Sequence, residues 1–264
     1  MSQLVTLQSE PVAIDIYTPD IHKGDALLVH GFTGSKEDFQ LIAPLLADRG
    51  YRVVVMDNRG QHESPHSLRE DAYTLESLAR DVIELAALMQ FKKPHLLGHS
   101  LGGLVAQRAV AQSPETWSSL SLMCTGPHAF RDTAWLEEVL RDMPTMTMQE
   151  SWDKYQAAGH AGHQWFELLK KRWFASDPRS VITHAYELTS AGSVMSELQD
   201  SKIPVHVFYG ENDNAWPLEM QNQMARDLSA QLDVIKDAGH CPNEDQPEVT
   251  ATVIADFWDR LIKH

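Results

Sequence analysis

The chain has 264 residues, 43% hydrophobic and 22% charged, a composition typical of a globular protein and a length that suits one α/β domain carrying an insertion. Its formal net charge is −15, which speaks against nucleic acid or an anionic membrane as a partner, since both are held by clustered Lys and Arg. A highly anionic substrate is disfavoured for the same reason, unless its pocket is locally basic.

The stretch before Pro11 lacks the basic region and apolar core of a signal peptide. No apolar run approaches the ~20 residues that a membrane helix needs. Val12–Tyr17 alternates apolar and polar residues, as a strand with one wet face does. Ala26–Val29, Val53–Met56, His95–Leu97, Leu120–Met123, Val205–Tyr209 and Leu232–Ile235 are short, mostly apolar runs, the pattern of strands buried on both faces of a parallel sheet. Helical spacing lies between them at Asp38–Arg49, Leu75–Phe91, Leu101–Ser113, Pro217–Leu228 and Glu248–Ile262, with Thr74 placed to cap the second. Strand alternating with helix predicts a doubly wound α/β fold with right-handed crossovers.

From Gly126 to Asp200 the rhythm breaks. The segment has helical patches, no convincing strand and four of the seven tryptophans: Trp135, Trp152, Trp165 and Trp173. Residues 126–200 are read as a helical cap on a core formed by 1–125 and 201–264, because an insertion between parallel strands projects from the edge where ligands bind. Trp135, Trp165 and Trp216 are candidate pocket walls, although large aromatics also serve simply to hold a small core together.

The chemistry gathers at strand ends. Gly98-His99-Ser100-Leu101-Gly102 fits G-x-S-x-G, between an apolar strand and a helix. Such a turn crowds its backbone, leaves the serine hydroxyl at the mouth of the sheet and aims a helix N-terminus at developing negative charge. A serine nucleophile needs a base and a group that orients the base. Among thirteen histidines, His240 follows the last strand, and Asp213 follows the preceding one, with Glu211 as an alternative acid. The order Ser, Asp, His is the one expected of this architecture. Amide donors for an oxyanion are expected from Leu101 and from Phe32 in the loop His30-Gly31-Phe32-Thr33-Gly34. That loop lacks the Gly-Lys-Ser/Thr ending of a phosphate cradle. His30 is assigned to bracing the loop, Asp57 to a structural turn, and His99 to a direction away from Ser100. The two cysteines, Cys124 and Cys241, make neither a disulfide framework nor a metal-site spacing, so a reducing cytoplasm is expected; no metal or other cofactor is expected.

With His30–Ser35, Asp57–Ser64, Gly98–Gly103, Gly210–Asp213 and Ala238–His240 together, nearly the whole chain resembles the α/β-hydrolase fold superfamily. It is most similar to the cap-bearing group of small carboxylesterases, enol-lactonases, C–C bond hydrolases and cofactor-free haloperoxidases. The resemblance implies a mostly parallel eight-stranded sheet flanked by helices, and Ser100, Asp213 and His240 as a catalytic triad. Serine at position 100 argues against dehalogenase and epoxide-hydrolase chemistry, whose nucleophile is aspartate. Gln61-His62 departs from the glycine common in relatives, and Cys241 after the histidine is a further departure. The expected reaction is hydrolysis of a small, neutral or apolar ester or lactone. C–C hydrolysis or perhydrolysis on the same residues stands as an alternative, and a non-catalytic small-molecule receptor as a third.

Overall fold

A computed structural model describes residues 2–8, 10–129, 134–157, 159 and 161–262. Its strands are β1 (Gln3–Thr6), β2 (Pro11–Tyr17), β3 (Gly24–Val29), β4 (Tyr51–Met56), β5 (His95–His99), β6 (Ser119–Met123), β7 (Val205–Gly210) and β8 (Gln231–Ile235). The α-helices are α1 (Ile42–Asp48), α2 (Leu75–Leu88), α3 (Leu101–Gln112), α4 (Ala134–Asp142), α5 (Met148–Tyr155), α6 (Phe166–Ala175), α7 (Pro178–Ser190), α8 (Met195–Ser201), α9 (Leu218–Asp227), α10 (Pro242–Asp245) and α11 (Pro247–Asp259).

One sheet runs in the order β1-β2-β4-β3-β5-β6-β7-β8. Pairing is antiparallel from β1 to β2 and from β2 to β4, and parallel from there to β8. The apolar runs explain why both faces are covered. Successive strand side chains point to opposite faces, so Ala26 and Leu28 enter one core cluster while Leu27 and Val29 enter the other, and Val53 and Val55 separate from Val54 and Met56 in the same way. Helices α1 and α11 pack on the face that carries Ala26 and Leu28, and α2 and α3 on the face that carries Leu27 and Val29.

Every strand expected from the sequence is present, and β1 is an addition. It is a short, largely exposed edge strand, held by one neighbour only, so it leaves little hydrophobic pattern to read. The helix expected over Asp38–Arg49 is instead a 3₁₀ turn (Lys36–Phe39) followed by α1. Pro44 explains the break: without an N–H it suits a first helical turn and would disrupt a helix begun at Asp38. Thr74 does cap α2, accepting from the Ser77 N–H at 3.3 Å. That helix stops at Leu88 rather than Phe91 because Gln90 turns to a left-handed conformation at φ 54°, a common way for helices to end.

Chain order puts β4 on one side of β3 and β5 on the other. The connections leaving β3 and β5 therefore diverge, and a crevice opens at the carboxyl ends of these two strands, where ligands bind in open α/β sheets. Between β6 and β7 the described residues hold α4 to α8 and no strand. Those helices are tied to the sheet side by Asp177 N–H to Gly60 O (2.8 Å), by Tyr73 Oη to Asp177 Oδ2 (2.7 Å) and by the Gln61–His184 contact (3.2 Å). Gln61, the bulky departure noted above, is thus a buried attachment point for α7.

Strand β5 and helix α3 cross so closely that a Cβ on Gly98 would land on the Gly102 carbonyl, and one on Gly102 would land on the Val29 carbonyl. Neither backbone oxygen can step aside without moving a strand or helix. Gly102→Ala is expected to lower unfolding free energy by about 3 kcal/mol or more, whereas Gly192→Ala, with nothing near its Cβ, should change it by less than about 0.5 kcal/mol. Urea denaturation of the two variants checks the contrast.

Candidate active site

Ser100 sits between β5 and α3 with φ 54° and ψ −119°, a conformation unfavourable for a residue with a Cβ. Its backbone is over-determined. The Ser100 N–H donates to Met123 O at 2.9 Å, and Ser100 O accepts from Gly103 N–H at 2.9 Å and Thr125 Oγ1 at 2.8 Å. The strain is thereby fixed in place and the side chain faces a cavity.

The loop after β3 closes against the same spot. A Cβ on Gly31 would lie 3.0 Å from the Ser100 Cβ, a tight contact that glycine avoids. His30 is fully buried and braces the loop as the sequence implied. Its Nε2 accepts from Asn58 N–H at 2.9 Å, which leaves Nδ1 to donate to Gly31 O at 2.8 Å. Burial lowers the His30 pKa, in keeping with that neutral tautomer. Asp57 serves the turn beyond: its carboxylate accepts from Lys36 N–H (2.7 Å), Lys36 Nζ (3.1 Å) and Glu63 N–H (3.2 Å). Among the described residues the N–H groups of Phe32 and Leu101 donate to no protein acceptor. Leu101 opens α3, where the first-turn amides have no carbonyl of their own helix to meet.

Asp213 and His240 lie at the ends of β7 and β8 and meet directly, His240 Nδ1 to Asp213 Oδ1 at 2.8 Å. Asp213 is buried and also accepts from Ala215 N–H at 3.0 Å and from the Gln221 amide at 2.9 Å. Burial alone would raise its pKa, but the hydrogen bond and charge of His240, with the Ala215 and Gln221 donors, hold it below the usual carboxylate range. Glu211, the alternative acid, is exposed and instead accepts from the Asp237 N–H.

His99, read from the sequence as directed away from Ser100, is turned onto the histidine loop. The His99 ring packs 4.9 Å from that of His240, and its Nε2 donates to His240 O at 2.8 Å. Burial, with the nearby His240, lowers the His99 pKa to about 4, so it is a neutral buttress of the histidine loop. Gln221, on α9, is a second supporting residue that the motifs missed, because a glutamine on an amphipathic helix carries no local signal.

Ser100 and His240 line one cavity of about 260 Å³, and no hydrogen bond joins the Ser100 hydroxyl to the His240 ring. One wall is aromatic: Phe32, Trp135 and Trp216, the first two with centroids 5.8 Å apart. Trp165 was expected there as well, but it does not line the cavity and packs against the hydrophobic core, half-buried. Trp152 and Trp173 also pack internally, 6.4 Å apart. Residues of the inserted helices, among them Trp135, Arg172 and Leu188, enclose the cavity opposite the sheet.

Two groups of possible metal donors occur among the described residues, His99–Cys124–His240 and Glu37–His62–Glu63. In the first, His99 Nε2 and His240 Nδ1 already serve protein contacts. In the second, Lys36 Nζ lies 2.9 Å from Glu37 and 2.8 Å from Glu63, where it supplies the positive charge itself. Cys124 and Cys241 are both free, and burial raises the pKa of each, which keeps them as thiols.

Strand ends, strained serine, hydrogen-bonded Asp–His pair and covering helices define an α/β fold with a site at its carboxyl edge. Residues 26–253 match the alpha/beta hydrolase family, and the chain belongs to that family. It is 26% identical to an uncharacterized hydrolase, YugF, of Bacillus subtilis, over 87% of this chain and 88% of that one. Among solved structures it resembles a malate-bound thermophilic esterase from Thermogutta terrifontis (TM-score 0.79, 24% identity, 100% of both chains). An enol-lactonase from Burkholderia xenovorans shares the fold as well (TM-score 0.82, 17% identity, 97% of this chain and 100% of that one). At these identities the structural likeness establishes the fold. No helix among the described residues is long and apolar enough to cross a membrane.

Because the native Asp213 carboxyl lies below its usual pKa, its contacts stabilise the fold above the unfolded value of about 3.9, and that contribution is lost as pH falls through the native pKa. Asp213→Asn lacks this titration. Chemical denaturation between about pH 6 and pH 3 should therefore show the unaltered protein losing more stability than the variant.

Proposed function

We propose that the protein is a serine hydrolase acting on a small carboxylic ester or lactone. The observation that carries the reading is the convergence of three chain segments: His240, hydrogen-bonded to the buried Asp213, and the strained Ser100 border one small cavity. In this reading neutral His240 takes the Ser100 proton as the hydroxyl attacks the carbonyl carbon. Asp213, ionised and fixed by three donors, holds Nδ1 protonated so that Nε2 is the basic nitrogen. The amides of Phe32 and Leu101 receive the oxyanion. His240 then gives its proton to the leaving alkoxide, an acyl-Ser100 ester remains, and water activated by the same imidazole releases the acid.

The cavity limits the substrate. Its volume of about 260 Å³ falls just below the range common for ligand pockets, about 300–1,000 Å³. Its aromatic wall favours an apolar stem beside the scissile group.

A fluorophosphonate probe is expected to add one label, at Ser100, readable by intact mass and peptide mapping. Ser100→Ala should abolish labelling and lower ester turnover on the order of 10⁴-fold or more. A folded protein that hydrolyses esters with Ser100 unlabelled would contradict the assignment. Among p-nitrophenyl esters, kcat/KM should be higher for the butyrate than for the decanoate, whose chain exceeds the cavity.

A further inference from the structure

The cavity has one charged corner, built from three distant parts of the chain. Asp38 comes from the turn after β3, Arg172 from α6, and Glu244 from α10, four residues beyond His240. Arg172 Nη1 is ion-paired with Asp38 Oδ1, and both side chains are largely buried. Asp38 also approaches Ser35 N–H through Oδ2 (3.4 Å) and accepts from Asn243 Nδ2 at its carbonyl (2.6 Å). The pair thus locks an inserted helix to the loop after β3 and to the loop after His240. Its formal charges cancel.

Glu244 is the charge left over. It is half-buried and lines the cavity, and its carboxylate has no hydrogen bond or ion pair among the described residues. Its neighbour Asp245, by contrast, is engaged with the Gly239 N–H at 2.7 Å. Removing a carboxylate from water without a partner is costly, and a ligand of opposite charge offsets that cost only while it is bound. Among the described residues Arg172 is the sole Lys or Arg on the cavity wall, and it is already paired.

We propose that Glu244 is the specificity determinant of this site, and that it receives a cationic group, a protonated or quaternary amine, on the substrate at the end remote from the scissile carbonyl. The inference rests on the serine-hydrolase reading above. The methylene stem of such a substrate lies along Phe32, Trp135 and Trp216, and its ammonium reaches the carboxylate. A substrate carboxylate in the same place meets Glu244 and Asp38 against one guanidinium that is already occupied.

The proposal carries a pH signature. Burial, then the charge of Asp38 with a smaller contribution from Asp245, raises the Glu244 carboxyl to about 7, against the opposing pull of Arg172. Among the described residues the other ionisable groups on this wall are the Cys241 thiol, kept neutral by burial, and the rings of His99 and His240. Preference for a cation therefore strengthens as pH rises through about 7 and fades below it, because only ionised Glu244 attracts it.

The test compares kcat/KM for three matched esters: methyl 6-aminohexanoate, methyl heptanoate and monomethyl pimelate. A second pair, acetylcholine and its carbon isostere 3,3-dimethylbutyl acetate, probes the alcohol side. Rates are followed by acid release at about pH 6 and about pH 8, where both cations keep their charge. The cationic member of at least one set should exceed its neutral isostere roughly tenfold at the higher pH, and the ratio should fall at the lower. In Glu244→Gln the ratio, taken within that one variant, should approach one at both pH values. Such a ratio is insensitive to a general loss of active protein. Hydrolysis at Ser100 with no preference for the cation, or a preference that Glu244→Gln leaves intact, overturns this proposal and leaves the hydrolase reading standing. No turnover of any ester with Ser100 unlabelled overturns both.

Discussion

Strand β5, helix α3 and the loop after β3 approach each other more closely than side chains allow, and the site is arranged around that crowding. Gly98 and Gly102 occupy positions where a Cβ would strike backbone, and one on Gly31 would crowd the serine itself. The outcome is a serine held at positive φ, with the first amide of α3 on one side and the Gly31–Phe32 backbone on the other. The strain is retained because hydrogen bonds from β6 and from Thr125 fix the peptide groups that flank it. Rigid strands thus do here what loops alone would do poorly: they set a hydroxyl and two amides at a defined separation before any ligand arrives.

Behind the serine, the imidazole is held from two directions. Asp213 takes its Nδ1, and His99 takes its carbonyl while packing against its ring. Asp213 is in turn fixed by Ala215 and Gln221, so the orientation of one ring depends on residues from β5, the β7 connection and α9. The inserted helices complete the enclosure, and the Asp38–Arg172 pair binds them to both the Phe32 loop and the His240 loop. In the proposed mechanism this makes the position of those helices and the geometry of the oxyanion amides parts of one arrangement.

Much of this was legible in the sequence because the strands are buried on both faces. Short apolar runs such as Ala26–Val29 and Val53–Met56 have no other common use, and the residues ending them carry the polar chemistry. The placement of Asp213 beside His240, with Glu211 turned to Asp237, follows from β7 and β8 being parallel neighbours. What escaped reading depends on tertiary contacts. His99 and Gln221 act on partners 141 and 8 residues away, with no motif of their own. Trp165 had the same composition signal as Trp135, yet one packs inward and the other faces the cavity, a difference set by helix packing within the insertion. Pro44 was the exception: its effect on the first helix is local, and the sequence already contained the reason for the break.

The account stands on Ser100, His240, Asp213 and the amides of Phe32 and Leu101 acting together on one carbonyl carbon. The most direct measurement is a crystal structure of the protein after reaction with a small alkyl phosphonate, whose tetrahedral phosphorus mimics the reacting carbon. The account predicts phosphorus bonded to Ser100 Oγ, with one phosphoryl oxygen about 2.7–3.1 Å from both amide nitrogens and His240 Nε2 within hydrogen-bonding reach of Ser100 Oγ or the alkoxy oxygen. A phosphonate attached to another residue, or one on Ser100 whose oxygen points away from both amides, would contradict it.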